Sequence, residues 1–299
     1  MSHYLDPTYD LTFKRVFGEH KHLCMSLLNS LLPIDRPIVH LEYQTGELIP
    51  ELADVLRHTV VDVRCTDSEN RQFLVEMQLF WSESFKSRVL LNASKAYVMQ
   101  LNKADKISLL RPVYALNFVN DTFERSPEMK DEYFHHYKIV NIKNTEKQIK
   151  GLEFIFVELP KYKPQSRAEK KLRDLWLRFL TEINGNTTEI PQELLDNEYT
   201  REAVGYMKRA AYTKEQLLTY DQWKIDVLTE RGMIDDAIAE GIEKGMEKGM
   251  EKGMEKGKME EKAETALKML ADGISIEHIC KYTGLSTMHI ETLKKERKT

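Results

Sequence analysis

Two apolar runs separated by a short polar stretch dominate the first third of the chain. Thr59-Val-Val-Asp-Val-Arg-Cys65 and Gln72-Phe-Leu-Val-Glu-Met-Gln-Leu-Phe80 flank Thr66-Asp-Ser-Glu-Asn-Arg71, the pattern of a β-hairpin. Upstream, Leu11, Phe13, Val16 and Phe17 recur at helical spacing. Leu23, Leu27, Leu28, Leu31 and Leu32 carry that stripe to Pro33, and Gly18 with the His-rich stretch after it divides the segment into two helices. Residues 38–43 read as a strand, joined to the hairpin by a loop through Gly46 and Pro50. Downstream, Phe85, Val89, Leu90, Ala93, Ala96, Tyr97 and Leu101 predict a helix over 82–101, with Ser82 as its N-cap. Residues 112–119, 137–141 and 152–159 are strand-like. The order of helix, three strands, helix and further strands predicts an α/β fold, a mixed sheet with helices on its faces.

From Ala168 onward the periodicity is helical. Leu172, Leu175, Trp176, Phe179 and Leu180 form one stripe, and further helices are expected over 202–211 and 215–239. Then come Gly241-Ile-Glu-Lys, Gly245-Met-Glu-Lys, Gly249-Met-Glu-Lys and Gly253-Met-Glu-Lys256. Ile242, Met246, Met250 and Met254 make an inclined row beside Gly241, Gly245, Gly249, Gly253 and Gly257. Four residues exceed the helical 3.6, so the row turns by about 40° per repeat. Each glycine costs a helix about 1 kcal/mol relative to alanine. Two readings therefore stand, a helix that packs closely on a partner and a flexible charged linker. In the tail, Gly273 and Gly284 mark turns while Ser275 and Ser286 are N-cap candidates, a layout similar to a helix-turn-helix. His289, Lys294, Lys295 and Arg297 on its last helix suit DNA, whereas Glu291 and Glu296 dilute that charge and suit an oligomerisation module. The resulting divisions are a core over 1–165, a helical region over 166–240, the repeat over 241–258 and a C-terminal module over 259–299.

The hairpin also carries the candidate chemistry. Side chains on a strand alternate between faces, so Glu76 and Gln78 share one face, and Asp62 joins them if the two runs pair. Two buried carboxylates on neighbouring strands are costly without positive charge between them. Oxygen donors of this kind suit Mg²⁺ or Mn²⁺.

Composition narrows the remaining possibilities. The 299 residues carry a formal net charge of −4, with 41% hydrophobic and 31% charged residues. No apolar run reaches the roughly 18–20 residues that span a bilayer, so no membrane partner is expected. The start Met1-Ser-His-Tyr-Leu-Asp-Pro7 lacks the basic and apolar regions of a signal peptide, and Cys24, Cys65 and Cys280 form no Cys-x-x-Cys pair. Both observations point to the cytoplasm. There is no nucleotide-binding glycine loop, no His-Glu-x-x-His and no Gly-x-Ser-x-Gly, which removes support for ATP-driven chemistry, zinc proteolysis and α/β-hydrolase chemistry. His135 and His136 are strand neighbours that face opposite ways, so a structural role is expected for them. Tyr97, among apolar positions, is expected in the core.

Four pieces together resemble the recombination-promoting nuclease or transposase family of the PD-(D/E)xK nuclease superfamily. They are Asp10-Leu-Thr-Phe-Lys-Arg-Val-Phe-Gly18, Asp62 in Val-Val-Asp-Val, Val75-Glu-Met-Gln78, and the helix with Arg88 and Tyr97. The resemblance implies a restriction-endonuclease-like αβββαβ core and metal-dependent DNA endonuclease activity, linked to recombination, mobile elements or defence against foreign DNA. It implies Asp62 and Glu76 as metal ligands, the Met77 carbonyl as a third, and Asp10 as an additional acid, with Glu19 its alternative. Gln78 stands where the superfamily usually has lysine and would align the attacking water. Lys14 and Arg88 would contact DNA phosphates. The rival expectations are a catalytically weak DNA-binding regulator and an oligomeric interaction protein acting through the C-terminal half.

Overall fold

Alternating burial along the hairpin sorts its side chains onto two faces, and helices cover both. The computed structural model describes residues 4–44, 47–48, 59–101, 106–164 and 171–296. Gly46, Pro50, Ala168 and Arg297, named above in two loop positions, a helix start and the last helix, lie outside the described residues.

Helix α1 (Asp10–Phe13) passes into a π turn, Lys14–Gly18, before α2 (Lys21–Leu31). Then follow β1 (Leu41–Tyr43), β2 (Glu47–Leu48), β3 (Thr59–Val60), β4 (Val63–Asp67), β5 (Gln72–Gln78) and α3 (Glu83–Val98). Strands β6 (Val113–Val119), β7 (Phe134–Asn141) and β8 (Asn144–Glu158) complete the sheet. Its order is β1-β4-β5-β6-β8-β7, while β2 and β3 pair separately. The β5/β6 and β6/β8 ladders are parallel and the others antiparallel. Helix, three strands, helix and strand thus follow one another as α2, β1, β4, β5, α3 and β6, consistent with a restriction-endonuclease-like fold.

Phe73 and Val75 pack into a cluster with Phe13, Phe17, Leu27, Trp176 and Phe179. Leu74 faces the other way, against Phe85, Val89 and Ala93 of α3. Every residue of β6 is buried, as expected for a central strand covered on both faces. Cys24 of α2 and Cys65 of β4 meet inside the first cluster, both fully buried, and hydrogen-bond to each other.

The structure changes several sequence expectations. The first strand begins at Leu41 because the ladder to β4 starts there, whereas the Ile38 backbone N–H and carbonyl are taken by the Asn29 side chain. The run over 59–65 is two strands broken at Val61-Asp62, where the backbone bends. The Ser82 hydroxyl meets Ser84 Oγ instead of capping α3. Strands β7 and β8 are longer than their apolar residues suggest. Helices α4 (Leu172–Glu182), α5 (Gln192–Asp196) and α6 (Glu198–Met207) follow, and α7 (Lys214–Ala271) includes all the tetrapeptides.

Two compact units are distinguished, Met1–Gln222 and Trp223–Thr299. In the second, α8 (Ile276–Thr283) and α9 (Thr287–Glu296) join the end of α7 around Ala266, Ile279, Leu285 and Ile290. Gly273 and Gly284 have positive φ, as the turns require. Ser286 Oγ accepts the His289 N–H as a cap, whereas Ser275 Oγ meets His278 Nδ1. Among the described residues, no helix is long and apolar enough to cross a membrane.

One buried polar cluster fastens the loop after β6. Glu158, fully buried, lies 2.8 Å from His135 Nε2 and 2.9 Å from Lys161 Nζ, and accepts the Phe123 N–H. His136 instead faces Glu153, so the two histidines do point apart. Truncating Glu158 takes the acceptor from the His135 ring and the Phe123 N–H. It also removes the carboxylate that offsets the buried Lys161 charge, although Lys161 Nζ keeps the Glu124 and Met129 carbonyls. Glu158→Ala is expected to lower unfolding free energy by about 3–5 kcal/mol, measured by urea denaturation.

Candidate active site

The bend at Val61-Asp62 ends the β3 direction just before the β4/β5 ladder begins at Val63 and Val75. Asp62 therefore sits at the end of that ladder, and its Oδ2 accepts the Met77 N–H at 2.8 Å. Glu76 lies on β5 with its side chain on the α3 face, in register with Asn117 of β6. It is 6% exposed, and its Oε1 accepts from Asn92 Nδ2 at 2.9 Å. Arg88 and Asn92 are four residues apart on α3, so they share the helix face that looks onto β5. Arg88 Nη2 lies 3.8 Å from Glu76 Oε2 and donates to Gln78 Oε1 at 2.6 Å. Gln78 Nε2 donates in turn to the Phe80 carbonyl.

The opposite wall comes from the N-terminal helix. Lys14 opens the π turn, and its Nζ lies 2.6 Å from Asp10 Oδ1 and 3.7 Å from Asp62 Oδ1. Insertions of this kind widen a helical turn and are frequent at functional sites. Exposure rises from the Glu76 side chain at 9% and Asp62 at 22% to Lys14 at 41% and Arg88 at 46%. The carboxylates form the floor and the two cations form the rim. The fold thus brings Asp10, Lys14, Asp62, Glu76, Gln78 and Arg88 into one cluster, with Met77 joined through its N–H. Glu19, the alternative acid, makes no hydrogen bond or ion pair with these residues among the described residues.

A family model described as PD-(D/E)XK nuclease family transposase matches residues 7–236. The chain belongs to that family. No curated protein and no solved structure matches it. The matched span contains every member of the PD-(D/E)XK cluster and ends before the first tetrapeptide.

Two residues of this nuclease-family site were not foreseen. Asn92 is fully buried, donates to Glu76, and leaves its own Oδ1 without a hydrogen-bond partner. Asn117, 1% exposed, is pinned by donating to the Ala115 and Ile155 carbonyls beside Glu76. Each is a lone amide at a position whose neighbours are apolar, which is the signal that marks them.

Electrostatics follow from this burial. Removal from water pushes the Glu76 carboxyl up to about 7, and the Asp62 charge adds to the rise, while Asn92 and Arg88 oppose it. Burial also raises Asp62, against the pull of the Met77 N–H and Lys14. For Lys14, burial acts downward, but the hydrogen bond and charge of Asp10 with the charge of Asp62 prevail and raise it. Among the described residues, no three His, Cys, Asp or Glu side chains converge as a metal cluster. Any cation held here must therefore take neutral oxygens besides the two carboxylates.

The raised Glu76 pKa fixes a sign. Between about 4.5 and about 7 the folded state holds a proton that the unfolded state has lost, so stability falls as pH rises through that window. In chelator, wild type is expected to be less stable near pH 8 than near pH 5, by up to about 3 kcal/mol from this group. Glu76→Gln keeps the shape and the Asn92 bond and is expected to remove that contribution. Urea denaturation of both proteins at the two pH values checks this.

Proposed function

We propose that the protein is a divalent-cation-dependent DNA endonuclease, with Mg²⁺ or Mn²⁺ held by Asp62 and Glu76 and by the Met77 carbonyl. The observation that carries the reading is Glu76, a carboxylate almost wholly removed from water beside a second carboxylate, with Arg88 only at 3.8 Å. With Asp10, Asp62 and Glu76 all ionised, as holding a cation would require, the three carboxylates outnumber Lys14 and Arg88 by one, and a divalent ion reverses that sign. Oxygen donors of this set fit a hard cation. When bound, such an ion polarises a phosphoryl oxygen and lowers the pKa of its water.

The chain's own residues supply the rest. Asp62 is held by the Met77 N–H and Glu76 by Asn92, so both carboxylates are oriented before any ligand arrives. Gln78 has its amide oxygen on Arg88 and its nitrogen on Phe80, so it acts by holding the guanidinium. Arg88 thereby brings positive charge to the neighbourhood where the glutamine side chain has none. Lys14 and Arg88, both half-exposed at the rim, are placed to receive phosphate oxygens on either side of the scissile bond.

Plasmid cleavage with added Mg²⁺ or Mn²⁺ tests the reading. Asp62→Ala and Glu76→Ala are expected to lose at least a hundred-fold in rate, roughly 3 kcal/mol of barrier. Arg88→Ala is expected to lose about ten-fold or more, with Arg88→Lys recovering only part because a lysine cannot hold both Gln78 and phosphate through a planar fork. Cleavage equal to wild type in both carboxylate variants would remove the enzyme reading. DNA binding without cutting by wild type would favour a regulator.

The same reading includes self-association through α7. Ile242, Met246, Met250 and Met254 are 54–71% exposed along it, and no atom stands within 4 Å of a side chain added at the repeat glycines. Sedimentation of wild type and of a chain lacking 241–257 tests this, and the deletion is expected to lower the mass in solution to that of the monomer. An unchanged mass would count against it.

A further inference from the structure

Strand β8 is a long strand with two different surroundings. Its ladder to β6 covers Leu152–Glu158, and nearer the turn it faces only β7, through Ile139↔Ile149, Val140↔Gln148 and Asn141↔Asn144. The last part of the hairpin is thus a two-stranded ribbon standing clear of the sheet, and residues 141–150 are all exposed. Its composition differs from that of the chain. Lys143, Lys147 and Lys150 accompany a single acid, Glu146, in a protein whose net charge is −4. Lys138, nearer the sheet, already has Glu153 at 3.5 Å, whereas the three outer lysines have no ion pair among the described residues.

The turn adds a second oddity. Its two central residues are Ile142 and Lys143, and neither has positive φ. Isoleucine is not a turn former, and at 91% exposure it contributes no burial. Ile149, on the ribbon, is 72% exposed. Folding therefore explains neither the apolar tip nor the unpaired lysines around it.

We infer that the free end of the β7–β8 hairpin is a second DNA-contacting element, a basic ribbon that enters the major groove with Ile142 leading and Lys143, Lys147 and Lys150 on the flanking phosphates. This rests on the DNA reading above. The major groove, about 12 Å wide, admits a two-stranded ribbon, and an apolar side chain there meets thymine methyl groups. The register sets the reach. Glu76, Asn117 and Phe156 lie side by side across β5, β6 and β8. His135 of β7 stands opposite Phe156, and Asn141, six residues further, stands opposite Asn144 at the turn, the extra residues of β8 being taken up by two register shifts. At about 3.3 Å per residue those six residues put the tip roughly 20 Å from the level of Glu76 along the strand direction. At about 3.4 Å per base pair that is about 6 base pairs, a little over half a turn of duplex. The ribbon and the carboxylate site then hold one duplex at two points, and the ribbon adds affinity only to DNA long enough to reach it.

Fluorescence anisotropy with the full chain in chelator tests this, using labelled duplexes of about 40 and about 5 base pairs, the short one closed as a hairpin, across a salt series. The triple variant Lys143→Glu/Lys147→Glu/Lys150→Glu is expected to bind the long duplex at least ten-fold more weakly. Its slope of log affinity against log salt is expected to be shallower by about 2–3, at close to 0.9 per lost phosphate contact. On the short duplex it is expected to match wild type. Ile142→Ser is expected to weaken long-duplex binding without changing the salt slope. Circular dichroism equal to wild type confirms that each variant is folded. Long-duplex affinity unchanged in the triple variant overturns the ribbon and leaves the nuclease reading intact. Equal losses on both lengths overturn the spacing argument. Absence of duplex binding by wild type overturns the DNA reading and the ribbon together.

Discussion

A carboxylate held almost dry between a sheet and a helix is the constraint around which the first unit is organised. Glu76 shares its row of β5 with buried Leu74 and with two amides, Gln72 and Gln78, and its neighbour across the ladder is another buried polar residue, Asn117. Such a group is tolerated only where every nearby donor is aimed at it. Helix α3 answers that demand with Asn92 and Arg88 at one face, and the bend before β4 delivers Asp62 to the same place. Neither element is explained by apolar packing alone.

Rim and floor have different origins. The floor comes from the sheet, where pairing fixes side chains to within the pleat, and the rim comes from helices, where four-residue spacing selects partners. Lys14 reaches Asp62 because the N-terminal helix loosens into a π turn at that residue. Arg88 reaches Gln78 because α3 begins soon after β5 ends and runs back along it. In the nuclease reading proposed above, these two cations would each meet a phosphate oxygen of one strand.

Much of this was legible from pattern. The apolar runs marked the hairpin, Gly18 marked the break between the first helices, and the period of two put Glu76 and Gln78 together. Other parts were not legible, for identifiable reasons. Asp62 was read within a strand, because β-branched residues on both sides hide a bend that only the burial of its carboxyl reveals. Asn92 was overlooked because the helix was read from its apolar positions, and a single amide among them is most often taken as surface. The outer part of β8, residues 144–151, carries a single apolar side chain, Ile149, so its sequence gives neither a period of two nor a stripe. Pairing there is a matter of backbone hydrogen bonds, which leave little trace in side-chain pattern. Ser82 and Ser275 precede helices as caps would, yet each hydroxyl finds a nearer polar side chain.

The three thiols give the molecule an internal clock. Cys24 and Cys65 are sealed at the contact between α2 and β4, so an alkylating reagent reaches them only when that contact opens. Cys280, partly exposed in the C-terminal unit, needs no such opening. Modification of this one chain therefore proceeds in separable phases, the fast one reporting reagent chemistry and the slow one reporting how often the layer beneath the N-terminal helices comes apart.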